Sequence, residues 1–209
     1  MTRGPSRRRI LSALALLPIM SGCQDSPPSR FYTLAARPAA GPATKVSRAI
    51  IVQRVEVAKY LDRPQIVRYG SAYELSFSEF NRWGEGLGDM TTRVLVEDLA
   101  ERLPDSHVYA AAGPLTLSNA DATLEVNIVK FEPDAAGMIV LAAQWVIHRK
   151  GSSDRYHTQQ FQAAAAGSGS TSSDAASGSA PNTDPTGQVA AMSDLLGQLA
   201  SQIAKELAA

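Results

Sequence analysis

Two periodicities divide the chain from Phe31 onward. Thr123 to Phe131 sets Leu124, Val126 and Ile128 on one side against Glu125 and Asn127 on the other. Met138 to Ile147 repeats the pattern with Ile139, Leu141, Ala143, Trp145 and Ile147. A period of two marks a strand with one buried face. The intervening Glu132-Pro133-Asp134-Ala135-Ala136-Gly137 has turn chemistry, so these two strands form a hairpin. Arg155 to Ala165 adds a third strand to it. Upstream, Phe31–Leu34 reads as a first strand, Ile50–Val57 as a single β-branched strand, and Gln65–Tyr69 with Tyr73–Ser78 as another hairpin. Val108–Ala111 makes a short strand.

The period changes to 3.6 in two places. From Leu87 to Leu103, the residues Leu87, Met90, Val94, Leu95, Leu99 and Leu103 form one stripe, and Asp89, Arg93, Glu97 and Glu101 occupy the other side. Pro104 stops that helix. Near the end of the chain, Val189, Met192, Leu196, Leu199, Ile203 and Leu207 recur at 3/4 spacing, with Ser193, Gln198, Gln202 and Lys205 opposite. Asp184-Pro185 supplies an N-cap followed by Pro at the first helical position. Between Gly167 and Pro181 the chain is almost wholly Gly, Ser, Ala and Thr. Without large apolar residues to offset ordering entropy, that stretch is expected to be a disordered loop, taken as 166–184. The resulting fold class is α+β: a single domain over 31–208, mostly antiparallel or mixed β-sheet, with two amphipathic helices packed on one face.

The first residues follow neither period. Arg3, Arg7, Arg8 and Arg9 precede an apolar run from Ile10 to Met20. Eleven residues rise only ~16 Å as a helix, about half a hydrocarbon core. This is the size of a signal-peptide core, and Ser21-Gly22 supplies the small residues of a cleavage site. The next residue, Cys23, is the only cysteine of the chain. The stretch resembles the bacterial lipoprotein signal, with Met20 where Leu is commoner. The resemblance implies removal of residues 1–22 and lipid on Cys23, and no other cofactor is expected. Several acyl chains give stable anchoring. Residues 23–30 then form a lipidated tether whose seven residues after the cysteine reach at most ~25 Å, holding the domain close to the membrane.

Charge narrows the partners. The leader carries four of the 20 basic residues and none of the 20 acidic ones, which leaves 16 against 20 and a mature net charge of −4. Nucleic acid requires a basic footprint and is not expected. No later stretch is long enough to be a second membrane segment.

Catalytic chemistry finds little footing. Gly84-Glu85-Gly86-Leu87-Gly88-Asp89 lies between a strand and a helix, but Asp89 stands where a dinucleotide loop needs Gly, and both acids would repel a pyrophosphate. The stretch reads better as a flexible lead-in whose acids favour the helix N-terminus. His107, His148 and His157 are scattered, without metal-ligand spacing. The serines between 168 and 179 lack a strand–turn–helix context. Of the carboxylate pairs, Asp98 and Glu101 fall on a solvated helix face, and Glu56 and Asp62 have nothing to place them in a cleft. No enzyme is expected.

Five phrases in order resemble the PqiC-type, or ABC-type transport auxiliary, lipoproteins. They are Phe31-Tyr32-Thr33-Leu34; Ile50–Val57 running into Tyr60-Leu61-Asp62-Arg63-Pro64-Gln65-Ile66-Val67; Arg82-Trp83-Gly84-Glu85-Gly86-Leu87; Val129-Lys130-Phe131-Glu132 before Gly137; and Ala191-Met192-Ser193-Asp194-Leu195-Leu196 with its following apolar steps. Gly84 and Gly86 stand where that family more often has Ala and Pro.

The resemblance implies a non-catalytic envelope lipoprotein that docks onto an MCE-domain protein of an intermembrane lipid conduit. A homo-oligomer is compatible with that role. Gln24 follows the cysteine and Asp comes one later, at Asp25; in the family's usual sorting logic this favours the outer membrane, facing the periplasm. Leu61, Asp62, Arg63, Arg82 and Trp83 are the candidate docking residues, since Trp and Arg are common interface anchors. The opposing reading has Trp83 closing the core and Arg82 paired with a carboxylate. Two other functions stay open: a free-standing periplasmic carrier of lipid or a small ligand, and an envelope hydrolase.

Overall fold

A computed structural model describes residues 28–39, 41–71, 73–111, 119–165 and 185–209. Cys23, most of the tether, the 166–184 loop and the Asp184 cap lie outside the described residues.

The elements run β1 (Arg30–Tyr32), β2 (Ala49–Val52), β3 (Glu56–Val57), β4 (Gln65–Ser71), β5 (Glu74–Trp83), α1 (Leu87–Arg102), β6 (His107–Ala110), β7 (Ala122–Pro133), β8 (Met138–Arg149), β9 (Arg155–Ala164) and α2 (Pro185–Ala208). They form a small sheet in the order β1-β5-β4 and a large one in the order β6-β2-β7-β8-β9, with β3 also on β7. The large sheet is mixed. Strands β7, β8 and β9 form an antiparallel meander, whereas β2 runs parallel to both β6 and β7. The fold is α+β, as the two periods predict.

The meander follows its alternation closely. Leu124, Val126 and Ile128 of β7 are buried with Ile139, Leu141, Ala143, Trp145 and Ile147 of β8, while Glu125, Asn127 and Gln144 are exposed. The β7–β8 turn is set by Asp134, whose side chain accepts from the Ala136 and Met138 amides at 2.9 Å, and by Gly137 at φ +78°, a conformation other residues rarely adopt. Helix α2 lays Val189, Met192, Leu196, Leu199, Ile203 and Leu207 into the core, where they meet the Leu87, Met90, Val94, Leu95 and Leu99 stripe of α1.

Three features depart from the sequence reading. The expected strand over Ile50–Val57 is two strands, β2 and β3, because Val55 turns its amide away from β7 to donate to Thr92 Oγ1 at 2.8 Å. Helix α1 accepts this approach through Gly88: a Cβ there would lie 2.8 Å from the Val55 carbonyl. Strand β5 continues past Ser78 to Trp83, because β1 arrives in parallel and pairs Arg30, Phe31 and Tyr32 with Asn81, Arg82 and Trp83. Lastly, Asp98 is not on a solvated face. It is fully buried, accepting from the Arg37 amide at 2.8 Å and from Arg102 Nη1 at 3.1 Å. Arg102 also donates to Ser201 Oγ of α2 at 2.8 Å, so the network joins α1, α2 and the chain after β1.

Candidate docking interface

The turn after β3 sends its apolar residue inward. The Leu61 amide donates to the Ala58 carbonyl at 2.8 Å and the Arg63 amide to the Leu61 carbonyl at 2.9 Å, a tight geometry that drives Leu61 into the core at 1% exposure. The next carbonyl that matters is that of Pro64, which accepts the Trp83 amide at 2.7 Å. This bond brings the two halves of the candidate site together, because Gln65 then stands opposite Arg82 in the β4–β5 ladder.

Five candidate residues are thereby neighbours, but they do not share one surface. Leu61 and Trp83 are core residues, Trp83 with 5% exposure. Asp62 is exposed, and Arg63 is half-buried with its guanidinium carbon 3.8 Å from the centroid of the Phe77 ring. That cation–π contact holds Arg63 flat against the hairpin. Arg82, also half-buried, donates from Nε to the Glu79 carbonyl at 3.3 Å, not to a carboxylate. Adjacent strand residues point to opposite faces, so Arg82 faces away from Trp83. The accessible part of the candidate site is Asp62, Arg63 and Arg82.

The surroundings are tied by side-chain contacts. Tyr60 donates to Glu132 at 2.9 Å, and burial followed by this bond raises its phenol well above the ordinary range. At the start of α1, Arg54 Nε meets Asp89 at 2.6 Å and Arg93 meets Glu85 at 2.8 Å. The Arg54 hydrogen bond holds the Asp89 carboxyl below its usual value. Both acids that argued against a phosphate loop are thus occupied by arginines, and Gly88 serves close packing.

A shallow groove of about 580 Å³ lies on the outer face of the large sheet. Its floor is the rows Glu125–Val146–Tyr156 and Asn127–Gln144–Thr158, with Gln53, Arg54 and Glu56 at the rim. The lining mixes charged and amide side chains with Val146, Trp145 and Tyr156. The histidines lie apart: His107 stacks near Tyr109, His148 Nδ1 sits 2.9 Å from Asp154, and His157 stacks on Trp145 with ring centroids 5.2 Å apart. Among the described residues, no group of three or more His, Asp or Glu could hold a metal ion.

Sequence reasoning missed the Arg37–Asp98–Arg102 network. Its one local signal is the four-residue spacing of Asp98 and Arg102, which also suits an exposed ion pair.

A family model for the ABC-type transport auxiliary lipoprotein component matches residues 32–204. The chain belongs to this family. It is a family of transport auxiliary lipoproteins, not of enzymes. The intermembrane transport lipoproteins PqiC of Escherichia coli (strain K12) and of Shigella flexneri are each 27% identical over 109 residues, covering 52% of this chain and 56% of theirs. The chain thus spans about half the length of the curated relatives it matches. Among solved structures, an uncharacterized protein superposes with a TM-score of 0.67 at 19% identity, covering 87% of this chain and 99% of that one. A Xanthomonas campestris protein gives 0.63 at 17%, covering 86% and 94%. These likenesses show the fold. No helix among the described residues is long and apolar enough to cross a membrane.

Proposed function

We propose that this chain is the lipid-anchored auxiliary subunit of an MCE-type intermembrane lipid transport system. Lipid on Cys23 holds it to the outer membrane, facing the periplasm, and the domain docks onto the MCE-domain protein through Asp62 and Arg63. The observation that carries this reading is the family match across the folded domain, together with the lipoprotein-like leader that precedes it. Docking is favoured over carriage of a lipid by the packing. The space between helices and sheet is filled by Leu95, Leu99, Leu195, Leu196, Leu199 and Ile203, all at 0% exposure.

The test is crosslinking in intact cells followed by capture of the full-length protein and mass spectrometry of its partners. Recovery of an MCE-domain protein, weakened by Asp62→Lys or Arg63→Glu in a protein of unchanged melting temperature, is the expected result. Capture that brings down no MCE-domain protein overturns docking. If no acyl chain is found on Cys23, the anchor is wrong.

A further inference from the structure

Phe31 is 69% exposed, although it is the middle residue of a strand. The reason is the register of β1. Tyr32 turns inward beside Trp83 and donates to Asn81 Oδ1 at 3.2 Å, so Phe31 must point outward, where its partner across the ladder is Arg82. Phe80, 37% exposed, lies two residues before Arg82 on the same strand, and exposed Arg30 precedes Phe31. Two outward aromatic rings therefore share one side of the β1–β5 pair with the Arg82 guanidinium, near the start of the folded domain.

That location has a consequence. Cys23 precedes Phe31 by eight residues, which span at most ~28 Å even when fully extended. Acyl chains on Cys23 keep a bilayer permanently within reach of this face. Exposed Phe side chains gain by burying into the headgroup–acyl boundary of a membrane, and arginines can lay their stems along apolar surface while their heads meet phosphates.

We infer that the outward side of the β1–β5 pair, centred on Phe31, rests on the lipid surface that holds the anchor and orients the domain on it. This rests on the reading of Cys23 as the acylated residue. The occupant is a bilayer with anionic headgroups, matched by Arg82 beside Phe31. In this orientation the Asp62–Arg63 turn is left for the protein partner.

The test places an indole at one position at a time in the full-length protein, purified with its lipid and reconstituted into phosphatidylethanolamine–phosphatidylglycerol vesicles with brominated acyl chains. Trp83 and Trp145 are buried and contribute a constant background. Phe31→Trp is expected to be strongly quenched. Tyr156→Trp, at a 77% exposed position on the edge strand of the other sheet, is expected to be quenched little. Equal quenching at both positions, or none at 31, overturns the inference. So does an indole at 31 that is shielded from soluble quencher and crosslinks to a second copy or another protein. Mass spectrometry reports Cys23 acylation separately: a chain without lipid ends the anchor reading, yet selective quenching at 31 in that chain would still support the face.

Discussion

Asp98 and Arg102 stand one helical turn apart and are buried together, Oδ1 accepting from Nη1 at 3.1 Å with side-chain exposures of 0% and 6%. The Arg37 amide, 61 residues distant, donates to the same oxygen at 2.8 Å, and Arg37 Nε reaches Asp194 of α2 at 2.7 Å. Gly197 leaves room for this junction: a Cβ there would lie 3.1 Å from the Arg37 Cβ and 3.2 Å from Arg102 Nη2. The pair is the polar knot that fixes α1 against α2.

Removing one partner leaves a buried charge without its counterion. Asp98→Ala is expected to cost about 3–5 kcal/mol in urea unfolding. Asp98→Asn retains an oxygen for the Arg37 amide and should cost less. Equal losses for the two variants would show that the carboxylate charge itself carries the effect.

Burial, the leading cause, raises the Asp98 carboxyl above its ordinary 3.8, against the lowering from the Arg37 amide and Arg102. The native state therefore binds this proton more readily than the unfolded chain. This group's contribution to stability falls as pH rises through the window that begins at 3.8. The Asn variant does not titrate there, so wild type should lose stability relative to Asp98→Asn as pH is raised from 3.5 across that window. Paired unfolding curves measure the difference.

Gly88 should resist substitution. A Cβ would meet the backbone carbonyl of Val55 at 2.8 Å, and that backbone, held to Thr92 by its own amide, cannot yield cheaply. Gly88→Ala is expected to lose about 1–3 kcal/mol by overpacking. Gly41→Ala, with nothing within 4 Å, should stay within about 0.5 kcal/mol in thermal melts.

Trp83 belongs to the core, and Trp83→Ala should cost about 3–5 kcal/mol. Asp62→Lys, at an exposed turn residue, should stay within about 0.5 kcal/mol. A binding defect in the first variant would therefore report unfolding, and one in the second would report the surface.

Tyr60→Phe removes the hydrogen bond to Glu132 and should cost about 0.5–1.5 kcal/mol at neutral pH. Because the native phenol is raised above the ordinary 10.0, its contribution is complete below pH 10 and fades as pH climbs through the higher native value. The gap between wild type and variant should hold from pH 7 to about 10 and close above it, as read by chemical denaturation.

The regular elements were legible because their signals are local. Alternation through Leu124, Val126 and Ile128, and the stripe from Leu87 to Leu99, each place residues on a face whatever the rest of the chain does. Such patterns determined the β7–β8–β9 meander, both helices and the α+β class. What a single residue does at its position depends on which distant segment reaches it. The arrival of β1 alongside Asn81–Trp83 extends β5, turns Phe31 outward and shuts Trp83 in. The approach of Thr92 breaks the strand at Val55, and Arg37 makes a buried site of Asp98. The turn at Leu61 and the strand end at Trp83 become neighbours through one backbone hydrogen bond between Trp83 and Pro64. Periodicity assigns a face, but long-range packing decides whether that face meets solvent, core or charge, and only the tertiary structure fixed it here.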